Sequence, residues 1–202
     1  MPITFVTTRA DEEALMAVAS ASNANELHLP ASGARLPDGR ADWFQTATDA
    51  LRFLEGARRY AVRAHDADFE LPRSVPTAAQ LARLREIRDA VQALIERDRR
   101  GYERRTRDLL DHYAFRLDAG GELRPAHEGW DRFIAERLPA LVTIGAHAER
   151  LRLCANPECR WAVWDTTKSG TRVWCDSRTC GNKMKVRAFR ERKRREGRTR
   201  EA

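Results

Sequence analysis

Residues 154–194 read CANPECRWAVWDTTKSGTRVWCDSRTCGNKMKVRAFRERKR and contain all four cysteines of the 202-residue chain. The cysteines form two pairs of equal spacing, Cys154 with Cys159 and Cys175 with Cys180, and fifteen residues separate the pairs. Thiolates carried by two tight loops can converge tetrahedrally on one Zn²⁺. The spacing therefore predicts a structural four-thiolate zinc site with one ion per chain.

Other assignments of these cysteines remain open at this point. Two disulfides would require an oxidising compartment, and the first residues, MPITFVTTRADEEA, lack the basic start and apolar run of a signal peptide. If the four cysteines were unrelated buried thiols, the equal spacing within the two pairs would be a coincidence. Thiolates also bind iron, and a redox pair is a further alternative. We expect a cytoplasmic protein with reduced thiols and a zinc ion.

Between the cysteine pairs, the sequence predicts a β-hairpin. WAVW (161–164) and TRVW (171–174) are short, aromatic and β-branched, which is typical of strands. Residues 165–170, DTTKSG, have the composition of a turn. After the last cysteine, Asn182 is a good candidate for the N-cap of a helix. The predicted module is therefore loop, hairpin, loop and helix, folded by its metal.

The helix predicted after the last cysteine carries the net charge of the protein. Residues 183–202 include ten basic and three acidic side chains, a balance of +7, and the whole chain has 37 basic and 30 acidic residues, also +7. The first 182 residues are therefore neutral. At 100° per residue, five basic side chains share one stripe of the helix: Lys183, Arg187, Arg190, Arg194 and Arg198.

The charge pattern predicts a polyanionic partner. We expect Val186 and Phe189 to pack on the zinc module beside the stripe. A solvated basic tail is the alternative to a docked helix. The candidate phosphate contacts are Arg172, Arg178, Lys183, Lys185, Arg187, Arg190, Arg192, Arg194 and Arg195.

The segment from Cys154 to Arg194 resembles the CGNR zinc-finger family. The shared features are CANPEC, WAVWDTT, KSG, VWC and CGNK, in that order. Lys183 departs from the family signature, which has arginine there, and lysine lacks the planar fork needed for a bidentate contact. The resemblance covers about 45 residues and implies DNA as the partner. The preceding region resembles the N-terminal, ABATE-type domain usual in the family, described as a stress-induced transcription regulator.

Residues 1–148 are predicted to form a mostly helical domain, and residues 149–202 the zinc finger. A strand is expected at Ile3–Val6. Caps and apolar spacing predict five helices, which begin after Thr8, run from Thr46 to about Ala64, from Thr77 to Ile95, from Arg99 to Tyr113, and from Trp130 to Ala146. Pro139 should kink or break the last of these. A hairpin is expected around residues 118–121. The predicted fold class is α+β and predominantly helical.

The N-terminal region shows no constellation typical of an enzyme. The five histidines have no metal-ligand spacing, and neither a serine-nucleophile motif nor a glycine-rich phosphate loop is present. We expect a zinc-finger DNA-binding transcription regulator, not an enzyme, whose N-terminal domain senses a small-molecule effector or pairs with a second copy. An RNA- or ribosome-binding protein and a protein-interaction module are the alternatives. No membrane partner is expected, because Leu138–Ala148 is too short to span a bilayer.

Overall fold

The computed structural model describes residues 7–21, 34–35, 41–120 and 122–200, with side chains for all of these except 34–35, 41 and 197–200. The strand predicted at Ile3–Val6 lies outside the described residues. None of the described helices combines the length and the apolar character that a bilayer span requires.

Helices dominate the described part of the chain, in agreement with the predicted fold class. In chain order they are Arg9–Ser20 (α1), Ala47–His65 (α2), Ala78–Ile95 (α3), Arg99–His112 (α4), Gly129–Ala135 (α5), Leu138–Ala146 (α6) and Asn182–Arg200 (α7). The short strands pair as antiparallel two-stranded sheets: Ala34–Arg35 (β1) with Ala41–Asp42 (β2), Phe115–Leu117 (β3) with Leu123–Pro125 (β4), and Leu151–Leu153 (β5) with Ala162–Trp164 (β6).

The predicted helix starts are confirmed by their capping hydrogen bonds. Thr8 and Asp11 bond reciprocally at the start of α1, and Thr77 and Gln80 do the same at the start of α3. The hydroxyl of Thr46 accepts from the amide of the third residue of α2 at 3.1 Å. Each cap satisfies amide groups that have no partner inside the first helical turn.

The long helix predicted around Pro139 is broken into α5 and α6. Proline lies in the first turn of α6, where its missing amide proton costs no hydrogen bond. Arg137, at the break, is buried at 2% exposure. Its guanidinium lies 2.9 Å from the Glu136 carboxylate and 3.5 Å from that of Asp11, and it stacks over the Phe133 ring. Sequence patterning gave no indication of this buried cation.

The core of the N-terminal region is built around α3, which packs on α1 and on α4. The predicted apolar stripe of α3 is buried at Leu84, Ile87 and Val91. Leu109 of α4 is fully buried, whereas its neighbour Leu110 is 37% exposed. Adjacent residues of a helix point about 100° apart, so one helix face cannot bury both.

The hairpin of the zinc module uses different strands from those predicted. β6 does contain residues of the WAVW segment, but it pairs with β5, in the register Leu151↔Trp164 and Leu153↔Ala162. Residues 171–174 form no strand. The amide of Arg172 donates instead to the carboxylate of Asp165 at 2.8 Å. Because the backbone of residues 171–174 is engaged in this way, the alternating segment before the first cysteine becomes the partner of β6.

The zinc module and the N-terminal helices share one hydrophobic core. Residues of α1 contact β6, and residues of α3 contact β5. Trp161 is buried between Phe53 and Tyr60 of α2. The hydroxyl of Ser20 accepts from the amide of Ala162 at 2.9 Å. The boundary predicted between residues 148 and 149 stays a prediction, and the segments on either side of it are packed together.

Candidate metal centre and basic helix

The side chains of Cys154, Cys159, Cys175 and Cys180 come together at one buried point. Their four sulfur atoms all lie within 4.8 Å of one another. The Cys175 sulfur is 3.6 Å from the sulfurs of Cys159 and Cys180. Four ligands held 2.3 Å from a tetrahedral metal ion are about 3.8 Å apart, so the cluster has the size of a zinc–tetrathiolate site.

The ionisation of these thiols also fits a bound cation. Hydrogen bonds with Cys154 and Cys175, together with burial, raise the pKa of the Cys159 thiol. Hydrogen bonds from Cys159 and Cys175 lower the pKa of the Cys154 thiol. Four thiolates this close together would repel one another unless a cation lay between them. A single Zn²⁺, held by the four sulfurs, would supply the missing positive charge.

The first cysteine loop is organised by Asn156, which is buried although asparagine is usually exposed. Its side-chain amide donates to the Cys180 sulfur at 3.4 Å, and its side-chain oxygen accepts from the amide of Glu158 at 3.1 Å. Asn156 thus joins the two cysteine loops. The sequence indicated only a tight turn at this position.

The second cysteine loop continues directly into the basic helix. A π-helical turn, Ser177–Gly181, contains the last cysteine and runs into α7. Asp176 caps this turn by accepting from the amide of Arg178 at 2.8 Å. The prediction of Asn182 as the helix cap was therefore wrong, because Asn182 has helical angles, φ −64° and ψ −45°. The helical segment begins at Ser177, six residues before the predicted first helical residue, Lys183.

Close packing fixes the direction of this helix. A Cβ atom at Gly181 would lie 3.1 Å from the Trp174 ring. Because glycine has no side chain, the helix can begin in contact with the indole ring of Trp174. The α7 helix emerges from a packed junction rather than from a free loop.

The buried carboxylate of Asp165 holds the segment between the cysteine loops. It accepts from the amide of Thr167 at 2.9 Å, from the Thr167 hydroxyl at 2.6 Å and from the amide of Arg172 at 2.8 Å. Burial alone would raise the pKa of Asp165, but these hydrogen bonds outweigh it and hold the pKa below its ordinary value. The ionised carboxylate of Asp165 therefore holds this segment by accepting hydrogen bonds, where the sequence predicted a strand pairing.

Side chains from the N-terminal helices reach the metal ligands. The Tyr60 ring lies edge to face on the His65 ring, with the centroids 5.4 Å apart, and burial raises the pKa of the Tyr60 hydroxyl. The Nε2 atom of His65 lies 3.0 Å from the Cys175 carbonyl oxygen, and its Nδ1 atom lies 2.5 Å from the Glu13 carboxylate. No local motif links His65 to a cysteine 110 residues away.

The predicted basic stripe lies along an open groove. The groove has a volume of about 670 Å³ and separates α7 from the first cysteine loop, where Asn156 and Glu158 line it. The stripe residues on its helical wall are Lys183, Arg187, Arg190 and Arg194. The side chain of Arg198, the fifth predicted member, lies outside the described residues. The structure thus brings together four cations along one groove.

The two apolar residues expected to pack on the zinc module are only partly covered. Val186 lines the same groove and is 40% exposed, and Phe189 is 49% exposed, so neither is buried against the module. The guanidinium of Arg192 and the ammonium of Lys193 lie 5.7 and 5.4 Å from the centre of the Phe189 ring. Lys185 is also exposed, as are Arg192 and Arg195.

The two remaining candidate phosphate contacts are engaged within the fold. Arg172 is half-buried and donates to the carbonyl oxygens of Trp174 and Cys175. Arg178 is exposed, but it reaches the last carbonyl groups of α2 at 3.4 and 3.5 Å. Both arginines thus link the second cysteine loop to its surroundings.

Four converging thiolates, a short hairpin and a helix define the C-terminal segment as a zinc-finger module. Residues 150–193 match the model of the CGNR zinc finger family. No curated protein matches the chain.

Proposed function

We propose that this protein binds DNA through α7 and the groove beside it, and that it acts as a transcription regulator. The observation that carries the proposal is the position of four cations, Lys183, Arg187, Arg190 and Arg194, along one wall of an open groove. Cations at helical spacing repel one another, and the Arg187–Glu191 pair at 3.1 Å offsets this only in part. A row of phosphates would relieve the repulsion.

The dimensions of α7 suit duplex DNA. Its 19 residues span about 28 Å at 1.5 Å per residue, close to one turn of the double helix. The major groove of B-form DNA, about 12 Å wide, admits an α-helix. The major groove of duplex RNA is too deep and narrow for side chains to read, which favours DNA over double-stranded RNA as the partner.

The packed junction at Gly181 and Trp174 supports a presented helix over a solvated tail. A helix fixed to a metal module meets DNA in one orientation and loses less conformational entropy on binding than a free tail would. We therefore assign sequence readout to α7 and place the alternative of a protein-interaction module second.

We further propose that the N-terminal region, as an ABATE-type domain, regulates the zinc finger and carries no enzymatic activity. Its aromatic side chains, Trp43, Phe44, Phe53, Tyr60, Trp130 and Phe133, are buried in the core. An effector would therefore bind on a surface rather than among them. One finger-sized module buries only about 600–1,000 Å² on DNA, so we propose that two copies bind together in the cytoplasm.

The proposal is tested by sequencing nucleic acid that co-purifies with the full chain at low salt. We expect DNA fragments that share a motif. The matched control is a variant in which Lys183, Arg187, Arg190 and Arg194 are all alanine, which should retain zinc and recover no DNA. Enrichment of ribosomal RNA, or equal recovery by the variant, would overturn the proposal.

A further inference from the structure

The second cysteine loop is surrounded by side chains from two N-terminal helices. Tyr60 of α2 packs edge to face on the ring of His65, with the ring centroids 5.4 Å apart. His65, at the end of the same helix, contacts the Cys175 carbonyl oxygen at 3.0 Å and the Glu13 carboxylate of α1 at 2.5 Å. The side chains of His65 and Glu13 are only 6% and 12% exposed. The backbone of one metal ligand is thus held by a buried pair from two N-terminal helices.

The buried pair acts on the backbone of a metal ligand. The carboxylate of Glu13 fixes the His65 ring, and the ring in turn contacts the backbone that carries the Cys175 side chain. Partners of this kind orient metal ligands and tune the affinity for the ion.

We propose that the N-terminal domain completes the metal centre of the zinc finger. The Glu13–His65 pair positions Cys175, and metal binding and docking of the two regions form one coupled equilibrium. The zinc finger therefore binds its ion with full affinity only when it is packed against the N-terminal helices.

Contacts between the zinc finger and helices α1 and α2 link docking directly to metal binding. Trp161, between the first cysteine loop and β6, lies 5.5 Å from the Tyr60 ring and 6.1 Å from the Phe53 ring. The Ser20 hydroxyl accepts from the amide of Ala162. Any separation of the finger from α1 and α2 would break these contacts together with those to Cys175.

Coupling between two binding events is reciprocal. If docking raises the affinity for the metal by some factor, metal binding must strengthen docking by the same factor. Loss of the ion should therefore loosen α2, and a change in α2 should weaken metal binding, without any involvement of nucleic acid. The inference stands independently of the proposed DNA binding.

The first test is chelator competition on the full chain with His65→Phe. The control is His127→Phe, which also removes a histidine hydrogen bond, in this case one accepted from the amide of Ala114 at 3.0 Å. We expect His65→Phe to weaken zinc binding about tenfold and the control to leave it unchanged. Equal zinc affinities for the two variants would overturn the proposal.

The second test follows hydrogen exchange when zinc is removed from the unaltered full chain. Removal of zinc should lower the exchange protection of residues 57–65 by at least as much as it lowers that of α4. The α4 helix serves as the reference because it packs on α3 and α6. Residues 57–65 that stay as protected as in the zinc-loaded protein would show that docking does not depend on the metal, and this would also overturn the proposal.

Discussion

The indole ring of Trp161 stacks on the phenyl ring of Phe53, with their centroids 6.1 Å apart and their planes inclined by 23°. Trp161 follows the first cysteine pair, whereas Phe53 lies in α2, and both are almost fully buried. The contact joins the zinc finger to the N-terminal helices through apolar surface. Metal ligation is therefore not the only interaction that stabilises the finger.

Replacing Phe53 with alanine should destabilise the whole protein. Removal of a fully buried phenyl ring costs about 3–5 kcal/mol, including the cavity that remains. The measurement is urea unfolding followed by tryptophan fluorescence. Phe189→Ala is the control, because its half-exposed ring should contribute less than about 0.5 kcal/mol. Similar costs for the two variants would show that Trp161 does not depend on Phe53.

Metal analysis of the full chain should return one zinc ion per chain. Replacing Cys159 with serine should abolish stoichiometric zinc binding, because an alcohol at this position is a poorer ligand than a thiolate. The control is Ser169→Ala, which alters an exposed side chain in the same module. Iron in the purified protein, or an intact fold without any metal, would contradict this prediction.

Replacing Asp165 with asparagine should destabilise the zinc finger at neutral pH. The carboxylate only accepts hydrogen bonds, whereas an amide group would point a donor toward one of the donors of Thr167 or Arg172. The expected cost is about 1–3 kcal/mol in the free energy of unfolding, the penalty for an unsatisfied buried group.

The matched control for this change is Asp68→Asn. Asp68 pairs with Arg58 on the surface, at 2.5 Å, and both side chains are largely exposed. Exposed ion pairs contribute little, so the control should unfold at nearly the same urea concentration as the unaltered protein. A loss as large as that of Asp165→Asn would mean that burial of Asp165 has no special effect.

Arg190→Ala should weaken DNA binding and reduce its salt dependence. Loss of one phosphate contact on duplex DNA lowers the slope of log affinity against log salt by about 0.9. The test is a series of fluorescence anisotropy titrations at about 50 to 200 mM salt, the range over which such slopes are measured. Arg187→Ala and Arg194→Ala should behave in the same way, since all three side chains line one groove.

Arg192→Ala is the control for the arginine stripe, because its guanidinium lies over the Phe189 ring on another side of α7. It should change affinity and salt slope less than the groove variants. Equal losses from Arg190→Ala and Arg192→Ala would indicate a disordered polycation rather than a docked helix.

Local sequence signals were sufficient for the helix starts and for the metal ligands. Thr8 and Thr77 are followed three residues later by side chains that complete reciprocal caps, and such signals act over a single helical turn. The break before Pro139 follows equally from the chemistry of one residue. The equal spacing of the cysteine pairs was enough to predict their convergence.

The strand pairing and the true start of the basic helix required the folded chain. WAVW and TRVW have similar β propensity, and only the hydrogen bonds to Asp165 decide that the second of these segments is not a strand. Asn182 and Asp176 are both good N-caps by composition. Packing of Gly181 on Trp174 places the turn so that Asp176 is the cap.

By itself, the sequence determined the four metal ligands, the helical character of the N-terminal region and the basic stripe of α7, since each depends on residues close together in the chain. Only the tertiary structure decided that Tyr60, His65 and Glu13 surround Cys175, and that Arg137 is buried among carboxylates. The longest of these contacts join His65 to Cys175 and Arg137 to Asp11, which are 110 and 126 positions apart. They form when apolar surfaces pack together, because the polar groups on those surfaces are then brought into contact. No local sequence pattern predicts such contacts.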